Sequence, residues 1–385
     1  MPTPAEQTAA ALDTYLREVI APAAVVARRP LAIAAHQSIE PIPAVAAMSV
    51  KYRTVRPGWL WGPKWSTCWF RLSAKLDAAA RRRPLHLRFS TDTEALLWHD
   101  GVPYQGLDVN RELARLPATA ITRDGRVELH VEAACNHPFG AVGLQWDIPE
   151  TIRRWESATP GRLLVAELVE LDDAVDELAR SFAFALGLMR ELIPPSPPMF
   201  TPLQPWLANP PLWQSARAEQ LGQALRRVMR LCRPGSVVSS AAESISILRG
   251  VLAQPAAAST PVGHAVGHAH IDTAWLWPLR ETRRKCLRTF SSVLRLMERD
   301  PSFVFLCSQA QQYAYVEEDS PALFRQIKAR VAEGRWEPGG AMWIEPDANV
   351  PSGESLVRQL LHGSRYWLNQ FGPRAKQRFL FLPDT

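Results

Sequence analysis

The segment His268-Ala269-His270-Ile271-Asp272 sets two imidazoles and a carboxylate on alternate positions. On an extended backbone, residues n and n+2 point the same way, so His268, His270 and Asp272 can converge on one point. Neutral imidazole and carboxylate are ligand types that zinc accepts at about 2.0–2.2 Å. The same residues also suit a helix start, with Asp272 as the cap and the histidines hydrogen-bonded in a core. Spacing leaves both readings open. Asp384 is the second candidate, in Phe379-Leu380-Phe381-Leu382-Pro383-Asp384-Thr385. A carboxylate at the C-terminal end of a barrel strand sits where catalytic groups of such folds gather, although taken alone Asp384 reads more readily as the cap of a following helix. Trp275-Leu276-Trp277-Pro278 follows the histidines directly. An indole beside a metal gives a sugar ring an apolar floor, and packing in a core is the alternative. Gly339 to Asp347 (GGAMWIEPD) brings Glu345 and Asp347 to another strand end, where they can bind substrate hydroxyls or satisfy loop amides.

These residues need elements to position them. From about Pro261 the pattern alternates strand and helix. Strands are expected at Val262–Val266, at Phe303–Leu306, from Trp336, and at Phe379–Leu382. Helices are expected at Glu281–Arg299, at Pro321–Glu333 with proline in the first turn and Gly334 past the end, and from the Ser352 cap to about Asn369. Repeating β-α units predict a parallel sheet or barrel. The first half reads as short strands broken by turns after a helical start. Arg126 to Ala133 (RVELHVEA) and Leu85 to Phe89 alternate, Arg162 to Glu170 is rich in Leu and Val, and Asp100-Gly101 marks a turn. This predicts a β-sandwich, with Trp59, Trp61, Trp65 and Trp69 mostly in its core. Helices follow at about Asp172–Leu192 and at Ser215–Cys232. Between these two helices, eight prolines from Pro194 to Pro211 forbid helix and central strand.

Composition narrows the class. Of 385 residues 47% are hydrophobic and 21% charged, which excludes a disordered or fibrous chain. The net charge of +6 comes from 44 basic residues scattered among 38 acidic ones. The one tight basic run, Arg81-Arg82-Arg83, is too short for a nucleic-acid face and reads as a solvated loop. No apolar run approaches the roughly 18 residues that span a bilayer, and the N-terminus lacks the features of a signal peptide. Five separated cysteines without metal-type spacing read as reduced thiols of a cytoplasmic protein.

The blocks GHAHIDTAWLWPLRETRRK, FLCSQAQQY, WIEPDANVPSGESLVRQ and FLFLPDT resemble consecutive blocks of the glycoside hydrolase family 38 α-mannosidases, most closely the cytosolic and vacuolar branch. Upstream, WGPKWSTCWFRL and LLWHDGVPYQGLD resemble the N-terminal β-sandwich region of that branch. The resemblance implies a multidomain α/β chain. An N-terminal helical segment (1–30) leads into a β-sandwich (31–171) and a helical, Pro-rich connector (172–257). The first half of a glycoside hydrolase (β/α) barrel (258–385) completes it. It implies zinc on His270, Asp272 and Asp384, with Asp384 also the nucleophile, Trp275 under the mannose, and His268 a motif histidine that is not a ligand. The implied reaction is retaining hydrolysis of terminal α-mannosyl residues of oligosaccharides through a covalent mannosyl-enzyme. In the family the fourth zinc ligand, a histidine, and the acid aspartate come later than the position matched by Thr385. The chain is therefore expected to be an N-terminal fragment that alone lacks both. The alternatives are an inactive truncated or split-gene product with residual sugar binding, and a zinc hydrolase of amide or ester bonds. No nucleic-acid or membrane partner is expected; a homo-oligomer or a complementing C-terminal half is left open.

Overall fold

A computed structural model describes residues 4–78, 80, 84–136, 153, 156–192, 216–255 and 260–383. Arg81 to Arg83, the Pro194–Pro211 segment and Asp384 lie outside the described residues. The chain divides into two compact units, Met1–Arg29 with Val169–Val262, and Pro30–Leu168 with Gly263–Thr385.

The second unit opens with the sandwich. Strands β1 (Ala32–Ser38), β2 (Arg53–Thr54), β3 (Thr67–Lys75), β4 (Leu85–Ser90), β5 (Ala95–His99), β6 (Val102–Leu107), β7 (Leu113–Arg115) and β8 (Arg126–Ala134) carry it. Six of them form one sheet in the order β2-β1-β3-β8-β5-β6, while β4 and β7 pair in a second layer. The antiparallel register Val127↔Ala74, Leu129↔Leu72, Val131↔Phe70 puts alternate apolar residues on one face. There they meet Leu85, Leu87 and Phe89 of β4 in a common core. Asp100 and Gly101 make the expected hairpin, both with positive φ (49° and 74°), the backbone that a two-residue hairpin loop needs.

The tryptophans divide. Trp61 and Trp69 are buried, and Trp59 packs part-buried on the sandwich core. Trp65 does not alternate with them. Its φ of 68° takes it out of any strand, and it lies half-buried under Lys64. Trp69 faces away from Phe70 and stacks on Trp98 at 5.6 Å, in the core shared with the helices described below. We therefore expect Trp61→Ala, not Trp65→Ala, to cost about 3–5 kcal/mol in a urea melt. Equal losses in the two variants would contradict this packing.

The same unit then continues as parallel β-α units. Three short strands, β9 (Gly267–His268), β10 (Phe305–Cys307) and β11 (Trp336–Pro338), pair in parallel in that order. The other unit is built from α1 (Pro4–Tyr15), α2 (Asp173–Glu191), α3 (Ala216–Leu231) and α4 (Val237–Leu252) around Leu12, Phe182, Leu225 and Leu248. Its α2 is capped by Asp172, whose carboxylate accepts from the amides of Ala174 and Val175. The β-α units carry α5 (Leu279–Arg299), α6 (Ala310–Asp319), α7 (Pro321–Ala332) and α8 (Gly353–Phe371). Phe290, Tyr313, Trp336 and Trp367 lock these helices to the sheet; the Tyr313 hydroxyl donates to Cys307 O and accepts from Trp336 Nε1.

Two expected strands do not form. Val262 and Val266 are exposed, and pairing begins only at Gly267, where a Cβ would press within 2.6 Å of the Phe303 ring. Phe379–Leu382 carries no ladder; Phe381 instead packs its ring against His268 at 4.9 Å. Helix α6 was not anticipated, since neither proline nor glycine announces it. It starts after Gln309, whose φ of 67° turns the chain sharply out of β10. No helix among the described residues is long and apolar enough to cross a membrane.

Candidate functional site

The site lies at the C-terminal ends of β9, β10 and β11. A cavity of about 490 Å³ is lined by His270, Asp272, Thr273, Gln309, Glu345 and Asp347, among others. His270 Nε2 stands 3.3 Å from Asp272 Oδ1, so these two converge as their spacing predicts. His268 does not join them. Its Nδ1 bonds the Leu306 carbonyl oxygen at 3.0 Å, which ties the end of β9 to β10. The helix-start alternative fails as well: α5 begins at Leu279, seven residues after Asp272, and its cap position is Pro278.

The loop between Asp272 and α5 is held from two sides. Gln309 Nε2 and Gln312 Nε2 both donate to the Ile271 carbonyl, at 2.7 and 2.6 Å, and Thr273 Oγ1 donates to Gln309 Oε1. On the other side the Thr282 hydroxyl, in the first turn of α5, donates to Thr273 O at 2.7 Å and accepts from Trp277 Nε1 at 2.9 Å. Lys285 lies 4.7 Å from the Trp277 ring centroid. Trp275 meets Trp277 edge to face at 5.4 Å and is half exposed. An exposed indole braced by a second, fixed one presents a flat apolar face to solvent. The strained Gln309 backbone is therefore spent on positioning the segment that carries the metal candidates.

Glu345 and Asp347 part company. Asp347 Oδ1 accepts from the amides of Asn349 and Val350, which is the loop-satisfying role. Glu345 points inward: one oxygen accepts from the Ser308 hydroxyl, and the other lies 3.1 Å from His270 Nδ1. Sequence reasoning singled out Glu345 without this role and missed Ser308, Gln309, Gln312 and Thr282. A run of small polar residues directly after a strand was the available signal.

Residues 262–385 match the model of the glycosyl hydrolases family 38 N-terminal domain, and residues 29–157 match that of an α-mannosidase jelly roll domain. Residues 262–385 carry the N-terminal domain type of glycosyl hydrolase family 38. Among curated proteins it is similar to alpha-mannosidase 2C1 of Homo sapiens, 34% identical over 350 residues that cover 90% of this chain and 31% of that protein. Alpha-mannosidase of Saccharomyces cerevisiae is 31% identical, covering 84% of this chain and 29% of that protein. Alpha-mannosidase G of Dictyostelium discoideum is 28% identical, covering 88% and 29%. The chain thus spans about 31% of the length of the first of these relatives. The sandwich expected from the strand pattern corresponds to the matched jelly roll region.

Among the described residues no group of three or more His, Cys, Asp or Glu side chains is arranged to hold a metal. The donor set present nevertheless fits zinc. The 3.3 Å between His270 Nε2 and Asp272 Oδ1 is close to the edge of a tetrahedron whose vertices lie about 2.0–2.2 Å from its centre. Nε2 and Oδ1 lie within hydrogen-bond reach of each other, and in the tautomer that keeps its lone pair at Nε2 the two atoms are both zinc donor types.

Proposed function

We propose that this chain supplies the first half of the catalytic (β/α) barrel of a zinc-dependent retaining α-mannosidase that acts on terminal α-mannosyl residues of oligosaccharides. The observation that carries this reading is the His270–Asp272 pair, 3.3 Å apart at the mouth of a parallel sheet and beside a braced, exposed indole. His270 and Asp272 would hold the metal together with Asp384, which matches the family's nucleophile by sequence position. Bound zinc would supply Lewis-acid contacts to adjacent sugar hydroxyls. Trp275 would form the floor under the mannose, and Gln309, Gln312 and Thr282 keep the loop rigid enough to place these groups. Asp384 would attack the anomeric carbon while an acid protonates the leaving oxygen; no residue within 1–385 is assigned that second role. The reduced, separately buried cysteines fit the cytoplasmic setting that belongs to the same reading.

The test is hydrolysis of p-nitrophenyl α-mannoside by the intact protein, before and after chelation and zinc re-addition. Turnover that disappears with chelator, returns with zinc and is absent in Asp384→Asn is expected. Cleavage of acyl substrates in place of mannosides would overturn the proposal.

A further inference from the structure

Glu345 is a carboxylate with one side committed and one side free to work. Its side chain is 8% exposed, and one oxygen accepts from Ser308 at the end of β10. The other oxygen, Oε2, is buried without a well-aligned hydrogen bond, yet lies 3.1 Å from His270 Nδ1. The distance is that of a hydrogen bond and the angle is not; a small rotation of the imidazole aligns the pair, as happens when a site closes on its ligand. Leaving a buried carboxylate oxygen unbonded is costly, so Oε2 favours the ring tautomer that gives it a proton at Nδ1.

The backbone beneath Glu345 is built to hold it still. Trp343 N donates to Gln359 O at 3.0 Å, Ile344 N donates to Gln359 Oε1 at 2.9 Å, and Trp343 Nε1 donates to Gln311 Oε1 at 2.9 Å. Upstream, Trp367 Nε1 donates to Gly340 O at 2.8 Å, and α8 approaches so closely at Gly363 that a Cβ there would stand 2.3 Å from Ala341 O. A side chain on such a support has little freedom to follow a substrate. It can, however, orient a neighbour.

We infer that Glu345 is the positioning residue of the metal site: it accepts the Nδ1 proton of His270, and with Ser308 behind it fixes the tautomer and ring plane that turn the Nε2 lone pair toward the zinc beside Asp272. The inference rests on the zinc reading above. It also excludes another role for Glu345. The two ring nitrogens point apart, so a carboxylate seated on Nδ1 cannot share a metal bound at Nε2. A carboxylate behind a metal-bound imidazole raises its basicity and sets its direction, and losing such a partner typically lowers metal affinity 10–100-fold.

The experiment uses residues 1–385 with zinc as the probe, in competition with a chromophoric chelator, for wild type, Glu345→Leu, Glu345→Gln and His270→Ala. Zinc affinity should fall 10–100-fold in Glu345→Leu and less in Glu345→Gln, whose amide oxygen still accepts from Nδ1. A second readout needs no metal. Long-range nitrogen–proton NMR of histidine-labelled protein, with the ring neutral, should show His270 as the Nδ1–H tautomer in wild type and a mixture in Glu345→Leu. Merely loosening the fold would not change the tautomer of one assigned ring. Zinc binding abolished by His270→Ala but unchanged in Glu345→Leu, or an Nε2–H tautomer in wild type, overturns this inference alone. Wild-type protein that binds no zinc, or binds it equally after His270→Ala, overturns the zinc reading and this inference together.

Discussion

Replacing His270 or Asp272 with alanine is expected to remove zinc from the protein with little loss of fold. Both side chains are about 30% exposed at the mouth of a cavity, so truncating either opens no core void. On the zinc reading proposed above, each variant loses one of a small set of protein ligands, and affinity for zinc at a site of few ligands depends on every one of them. The loss should exceed the 10–100-fold expected of an outer partner such as Glu345. Metal content after dialysis against a zinc buffer, read beside a thermal melt, checks this. His268→Ala is the control: its ring serves Leu306 O and Phe381, so zinc occupancy should stay at the wild-type level. Occupancy that drops in His268→Ala and persists in His270→Ala would reverse the assignment.

The contrast between His268 and His270 shows what could be read from sequence. Alternation put His268, His270 and Asp272 on one side of an extended segment, and the geometry separates them because the strand ends at His268. Beyond it the chain follows the hydrogen bonds of Gln309 and Gln312 to the Ile271 carbonyl, which no period encodes. Long elements with a full apolar face, such as β8 and α5, were legible because many side chains vote for one periodicity. Strands of two or three residues, such as β9, carry too few positions to vote. They are fixed by their partners: Gly267 pairs with Phe305, and Phe305 with Trp336. The role of Glu345 was hidden for a similar reason, since Ser308 and His270 lie 37 and 75 positions away in the chain and meet it only across the sheet.

The same limit applies to the charges that join the sandwich to α5, and here the expected effect on stability is large. Three carboxylates (Glu94, Glu132, Glu281) meet three cations (Arg284, Lys285, Arg288) in a largely buried cluster. Lys285 Nζ lies 2.6 and 2.8 Å from the two oxygens of Glu94, Arg288 Nη2 lies 2.5 Å from Glu94 and also pairs with Glu281, and Arg284 bridges Glu132 and Glu281 at 3.1 and 3.2 Å. Asn136 donates to both Glu94 and Glu281. The charges balance, so removing one member strands its partners. Arg288→Met should therefore cost about 3–5 kcal/mol, as breaking a buried pair does, even though the methionine fills similar space.

The pH dependence follows from Glu94. Burial alone would raise its carboxyl, but Arg288, Lys285 and the hydrogen bonds outweigh burial and lower it from 4.5 to about 2. A carboxyl that is more acidic in the folded protein stabilises the fold above its unfolded value, and that contribution is lost as pH falls from about 4.5 through about 2. The drop corresponds to about 3 kcal/mol of stability at neutral pH. Wild type should lose this amount on acidification through that window, and Arg288→Met should lose less because its Glu94 is no longer held down so far. Urea melts at pH 7, 4 and 3 on both proteins measure the difference; equal slopes, with Arg288→Met within 1 kcal/mol of wild type at pH 7, would contradict a tightly paired cluster. The consequence reaches the site. The helix turn that this cluster anchors carries Thr282, which holds Thr273 and Trp277, and Lys285, which lies over Trp277. Loosening the cluster should therefore free the indoles beside His270 before the sandwich itself unfolds, and their fluorescence should change at lower urea than the far-ultraviolet dichroism does.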